Sequence, residues 1–90
     1  MSLNKDEIYA EHYPFIMDEL IAVIASQLHD LNTLVYADID SDTEGYGEGI
    51  VYVNYNFYGY CYIRVYNNQV RATLSGGHIT AGQVFYQVDF

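Results

Sequence analysis

Four patterns in this ninety-residue chain hold residue types capable of chemistry. Asp38-x-Asp40-x-Asp42 sets three carboxylates at alternate positions, as at the opening of a calcium-binding loop. The sixth position of such a loop is glycine and the twelfth a bidentate glutamate, but here they are Thr43 and Gly49. The pattern therefore predicts a solvated acidic loop and no metal. Gly45-Tyr-Gly47-Glu-Gly49 has the glycine density of a phosphate loop, yet Glu48 and the acids upstream repel phosphate and no lysine follows. His12, His29 and His78 have no nucleophile at a recognisable spacing. His12, beside Glu11, is expected to be exposed, and Ser75-Gly-Gly-His78 reads as a hairpin turn. Cys61, the one cysteine, is expected on the covered side of a sheet as an inert buried thiol. None of these patterns predicts catalysis, so the chain is expected to be neither an enzyme nor a cofactor binder.

The charge is more informative. Twelve acids stand against three bases, a formal net charge of −9. Up to Glu48 there are eleven acids against Lys5 alone, whereas the remainder carries Asp89 against Arg64 and Arg71. Three basic residues cannot make the stripe that a direct nucleic-acid binder needs, nor attract an anionic membrane. At 51% hydrophobic residues the chain is too apolar for a disordered acidic tail. The length predicts one domain over 1–90. No signal peptide is visible, no apolar run is long enough to span a bilayer, and a single cysteine suits a reducing compartment. The expected location is the cytoplasm, that of the host cell for a phage-encoded chain.

Positioning these residues falls to one helical segment and a sheet. Over 5–31, Ile16, Leu20, Val23, Ile24, Leu28 and Leu31 recur at helical spacing on one face. Pro14 predicts either a helix start or a kink there. From Leu34 the period becomes two. A first strand over 34–40 precedes a polar, glycine-rich loop over 41–49, and strands follow at about 50–58, 60–66, 69–75 and 78–90. Asn67-Asn68 predicts a tight turn pairing Val65 with Val70, Ile63 with Ala72 and Cys61 with Leu74. A three-residue loop at Tyr58-Gly59-Tyr60 would pair Val53 with Val65 and Tyr55 with Ile63. Gly76-Gly77 would pair Leu74 with Ile79, and a bulge at Gly82 would reset the last strand. The predicted fold is α+β, with an N-terminal helical segment packed on one face of a five-stranded antiparallel meander sheet.

One helix cannot cover both faces of a sheet. The other face is predicted to carry Tyr52, Tyr66 and Gln69 in one row, Asn54, Arg64 and Arg71 in the next, and Asn56, Tyr62 and Thr73 in a third, with Asp38 and Asp40 on the first strand. Arg64 and Arg71 would stand opposite each other, an arrangement that calls for an acid or anion between them, either an internal Asp or Glu or a carboxylate from a partner or a second copy. Tyrosine and arginine are the residues enriched at binding hot spots.

These features point to an acidic inhibitory binding protein acting on a basic, nucleic-acid-handling protein, with mimicry of DNA or RNA as one route. Asp38, Asp40, Asp42, Glu44 and Glu48 would supply charge, while Tyr52, Tyr62, Arg64, Tyr66 and Arg71 would supply anchors. In composition alone (small, acidic, tyrosine-rich, α+β) the chain resembles phage-encoded anti-restriction and anti-CRISPR inhibitors and bacterial DNA-mimic proteins. No motif carries that resemblance, so no residue role transfers. The alternatives are an immunity- or antitoxin-type inhibitor of one enzyme, and a homodimer or larger homo-oligomer paired through the tyrosine face.

Overall fold

The computed structural model describes residues 4–90, and within that span the side chains of Asp42 and Thr43 lie outside the described residues. A single helix, α1 (Lys5–Leu28), precedes strands β1 (Val35–Thr43), β2 (Tyr46–Val53), β3 (Asn56–Tyr66), β4 (Gln69–Ser75) and β5 (Gln83–Asp89). The strands form one antiparallel sheet in the order β1-β2-β3-β4-β5. The predicted helix-on-meander architecture is therefore the observed one.

Local chemistry sets both ends of α1. The Asn4 side chain accepts from the amides of Asp6 at 3.1 Å and Glu7 at 3.2 Å, capping donors that have no partner inside the helix. Asp6 and Glu7 also place negative charge in the first turn, where the helix dipole favours it. At the other end His29 is left-handed (φ 55). The Asp30 amide reaches Ala25 O and the His29 amide reaches Ser26 O, a Schellman stop three residues before the expected end. Pro14 neither starts nor ends the helix. It and Ala10, whose carbonyl it leaves without a helical donor, are both exposed, so water can take that carbonyl.

The buried face of α1 carries Ile16, Leu20 and Ile24, all fully enclosed against Val51, Cys61, Ile63, Val70, Ala72 and Leu74. Full burial of one such aliphatic side chain contributes about 1.5–3 kcal/mol. Val35 and Val65 complete this layer, with Ala37 and Val53 partly buried against it.

The β3–β4 register is the predicted one: Val65↔Val70, Ile63↔Ala72 and Cys61↔Leu74. The turn residues Asn67 (φ 51) and Asn68 (φ 58) have the positive φ angles it needs.

Three other connections differ from expectation. The stretch 41–49 is not a loop: β1 runs to Thr43 and β2 starts at Tyr46, leaving Glu44-Gly45 as a tight turn. The next turn is Asn54-Tyr55 (φ 50 and 69), not 58–60. Tyr55 therefore projects at the turn, 76% exposed, instead of packing opposite Ile63. Finally, β4 and β5 are joined by a loop over 76–82, so Leu74 faces Gln83, not Ile79. The irregularity that resets the last strand falls at Phe85, between the pairs Thr73↔Val84 and Ala72↔Tyr86, and not at Gly82.

Candidate interaction surface

The sheet face opposite α1 is uncovered. Alternation along the strands and the pairing across them arrange its side chains in rows. One row is Tyr36, Tyr52 and Phe57. The next is Asp38, Ile50, Tyr60 and Ser75. The third is Asp40, Glu48, Tyr62, Thr73 and Val84. The fourth is Tyr46, Arg64, Arg71 and Gln87, and the last is Tyr66, Gln69 and Asp89.

Eight of the ten predicted site residues share this face: Asp38, Asp40, Glu48, Tyr52, Tyr62, Arg64, Tyr66 and Arg71. Glu44 is exposed at the turn that ends it, and the Asp42 side chain lies outside the described residues. The cross-strand partners on β2 differ from the predicted ones. Tyr46 stands across from Arg64 and Glu48 across from Tyr62, while Asn54 sits in a turn and Asn56 opens β3. Asp38 and Asp40 belong to an extended strand, two residues apart on one face, and not to a cation-wrapping loop. Among the described residues no three of His, Cys, Asp and Glu converge as metal ligands. Among the same residues no helix is long and apolar enough to cross a membrane.

Two like-charged pairs lie on this face. Asp40 is directly across from Glu48, and Arg64 is directly across from Arg71. Each arginine has a contact of its own. The Arg64 guanidinium lies 4.1 Å above the ring centroid of Tyr66, a cation–π contact worth about 0.5–1 kcal/mol at an exposed site. Arg71 Nε donates to Gln87 Oε1 at 3.3 Å, and Gln87 Nε2 donates to Asp89 Oδ1 at 3.3 Å. One guanidinium leans along β3 and the other across to β5. Between them opens a depression of about 250 Å³ lined by Tyr46, Tyr62, Arg64, Tyr66, Arg71 and Thr73. Tyr46 Oη donates to Glu48 Oε2 at 3.0 Å. Burial, followed by that bond and the carboxylate charge, raises the Tyr46 phenol above its ordinary value, with Arg64 acting in the opposite direction.

Aromatic rings fill the other end of the face. Tyr36 stacks on Tyr52 with centroids 5.0 Å apart, and Phe57 meets Tyr60 edge-on at 5.3 Å. Tyr36, Ile50, Phe57 and Tyr60 were not singled out from the sequence. Tyr36 was within reach, because it shares its strand parity with Asp38 and Asp40.

A further acidic cluster crosses between elements. The Gly45 amide donates to Asp6 Oδ1 at 3.2 Å, tying the start of α1 to the β1–β2 turn. Asp6, Glu7 and Glu44 thereby lie at the β1–β2 turn end of the molecule, with Lys5 beside Gly45 and the row of Arg64 and Arg71 between that end and Asp40 and Glu48. By contrast, His12 is not a free surface group: its Nδ1 and the Tyr86 hydroxyl are 2.7 Å apart. Cys61 is fully buried, and burial pushes its thiol up to about 12. Comparison with protein-family models, curated proteins and solved structures finds no match to this chain.

Proposed function

We propose that this chain is a non-enzymatic, acidic binding protein that blocks a basic, nucleic-acid-handling partner. The observation that carries this reading is the gathering of acids from distant parts of the sequence. Asp6 and Glu7 on α1 come to Glu44 at the β1–β2 turn, at one end of a molecule of 45 × 22 × 22 Å, and Asp40 and Glu48 stand opposite each other on the uncovered sheet face, past the row of Arg64 and Arg71. Carboxylates concentrated on a rigid end attract a basic groove by the physics that draws in a phosphate backbone, with fast, salt-sensitive association. The neighbouring tyrosines supply broad contact area at low entropic cost.

The test is a pull-down from the native host on the immobilised chain, eluted by a salt gradient. The expected result is a nucleic-acid-binding protein that leaves only at high salt. Elution at low salt with no such protein would overturn the reading.

A further inference from the structure

We propose that the depression between Arg64 and Arg71 binds the phosphate group of a small aromatic phosphate monoester. The proposal does not depend on the inhibitor reading, which rests on the acids. It starts from the charge of one row. Arg64 and Arg71 stand directly across from each other on β3 and β4, and like charges so placed destabilise a sheet. Both rest on neutral groups. Arg64 lies 4.1 Å above the Tyr66 ring centroid, and Arg71 Nε donates to Gln87 Oε1 at 3.3 Å. A ring and an amide orient the two guanidiniums without neutralising them. An anion held between them would offset both charges at once.

The geometry favours a phosphate over a carboxylate. A carboxylate has two oxygens in one plane and is satisfied by a single arginine fork. Here two forks border one depression, one held along β3 and the other toward β5. A phosphate monoester brings three oxygens and a charge of about −1.5 to −2 at pH 7, enough for both. Tyr62 and Thr73, directly across from each other in the next row, bring hydroxyl donors to the same rim.

Size and lining set the rest of the ligand. The depression holds about 250 Å³, below the about 300–1,000 Å³ of pockets for drug-sized molecules. That admits a phosphate and one ring and little more. Tyr46, Tyr62 and Tyr66 wall it, so the ring has aromatic faces to pack on. Nearby and remote charge opposes binding. Glu48 stands across from Tyr62 and accepts from the Tyr46 hydroxyl at 3.0 Å, and the chain carries a net charge of −9. Near 0.15 M salt, where the screening length is about 8 Å, the remote charge is damped far more than the direct arginine contacts. A weak site is expected, one that improves when Glu48 loses its charge.

Proton–nitrogen correlation NMR of the whole chain tests this, with phenyl phosphate as the probe. The conditions are about 0.15 M salt and about pH 7.5, where the monoester is mainly a dianion. The Nε–H signals of Arg64 and Arg71 are expected to shift together and saturate, with a dissociation constant in the millimolar range. Inorganic phosphate should bind the same residues at least about threefold more weakly, and benzoate at least about tenfold more weakly. Arg64→Gln and Arg71→Gln should each weaken phenyl phosphate binding at least about tenfold, through loss of charge-assisted hydrogen bonds. Glu48→Gln should tighten it about two- to threefold. Should one arginine variant fail to fold by circular dichroism, the other and Glu48→Gln provide the readout. Shifts that stay linear to about 50 mM overturn the proposal. So does binding indifferent to both arginine variants, or benzoate or inorganic phosphate binding as tightly as phenyl phosphate.

Discussion

The hydroxyl of Tyr9 on α1 lies directly against the backbone of Gly47 on β2, where any Cβ would collide with it. That contact seats the first half of the helix on the sheet and explains why a glycine stands inside a strand. The hydroxyl is buried without a hydrogen-bond partner among the described residues. Burial raises this phenol above its ordinary value, with Ser41 close enough to oppose the rise in part. Gly47→Ala is predicted to destabilise the fold by about 1–3 kcal/mol through overpacking. Tyr9→Phe in the same chain should recover part of that loss, because the next atom in the way, Tyr9 Cζ, would sit 3.0 Å from the new methyl. Urea unfolding of the two single variants and the double variant measures this. Equal losses in Gly47→Ala with and without Tyr9→Phe would remove the hydroxyl as the cause.

His12 and Tyr86 make a second link between helix and sheet, at 2.7 Å and nearly edge-on. A double-mutant cycle with His12→Phe and Tyr86→Phe is predicted to show a coupling of about 0.5–1.5 kcal/mol, the net worth of one hydrogen bond. A coupling near zero would mean that the pair contributes packing alone.

The buried ionisable groups predict how stability responds to alkali. Burial lifts the Cys61 thiol from 9.0 to about 12 and also raises the phenols of Tyr9, Tyr13 and Tyr86. Between the unfolded and folded values the native state holds protons that the unfolded chain has released. The contribution is thus fully present below about pH 9 and is lost as pH rises from there toward 12. The urea midpoint should fall steadily over that range, and Cys61→Ala should lessen the slope. The native thiol should also resist modification at neutral pH, reacting only on unfolding.

How far the sequence foretold this molecule depended on turn chemistry. The β3–β4 hairpin was legible because Asn67-Asn68 suits a tight turn and every flanking apolar pair agrees with it. The β2–β3 hairpin was not, because Tyr55 adopts a positive φ that its side chain disfavours, while Gly59 five residues on from Asn54 offers a more conventional turn. Residues 41–49 read as a loop because glycine usually marks one. Here Gly47 makes room for Tyr9, a contact between elements that spacing cannot reveal. The uncovered face was foreseen from strand parity. Glu48 was named as a loop acid, and its place on that face followed only once β2 was seen to begin at Tyr46.

If acids carry partner recognition, their sign matters more than the phenols. Reversing Asp38, Asp40 and Glu44 to Lys is predicted to weaken partner binding by at least about a hundredfold. Tyr62→Phe and Tyr66→Phe, which keep the rings, should change it by less than about fivefold. Titration calorimetry with the captured partner compares them. Intact binding by the triple reversal would rule out recognition through Asp38, Asp40 and Glu44.

The most direct measurement of the central claim is competition between this chain and nucleic acid for the captured partner. Fluorescence anisotropy of a labelled oligonucleotide bound to that partner reads it. The account predicts full displacement as the chain is added, with competition weakening as salt rises. A stable ternary complex, with the oligonucleotide still bound at saturating chain, would contradict it.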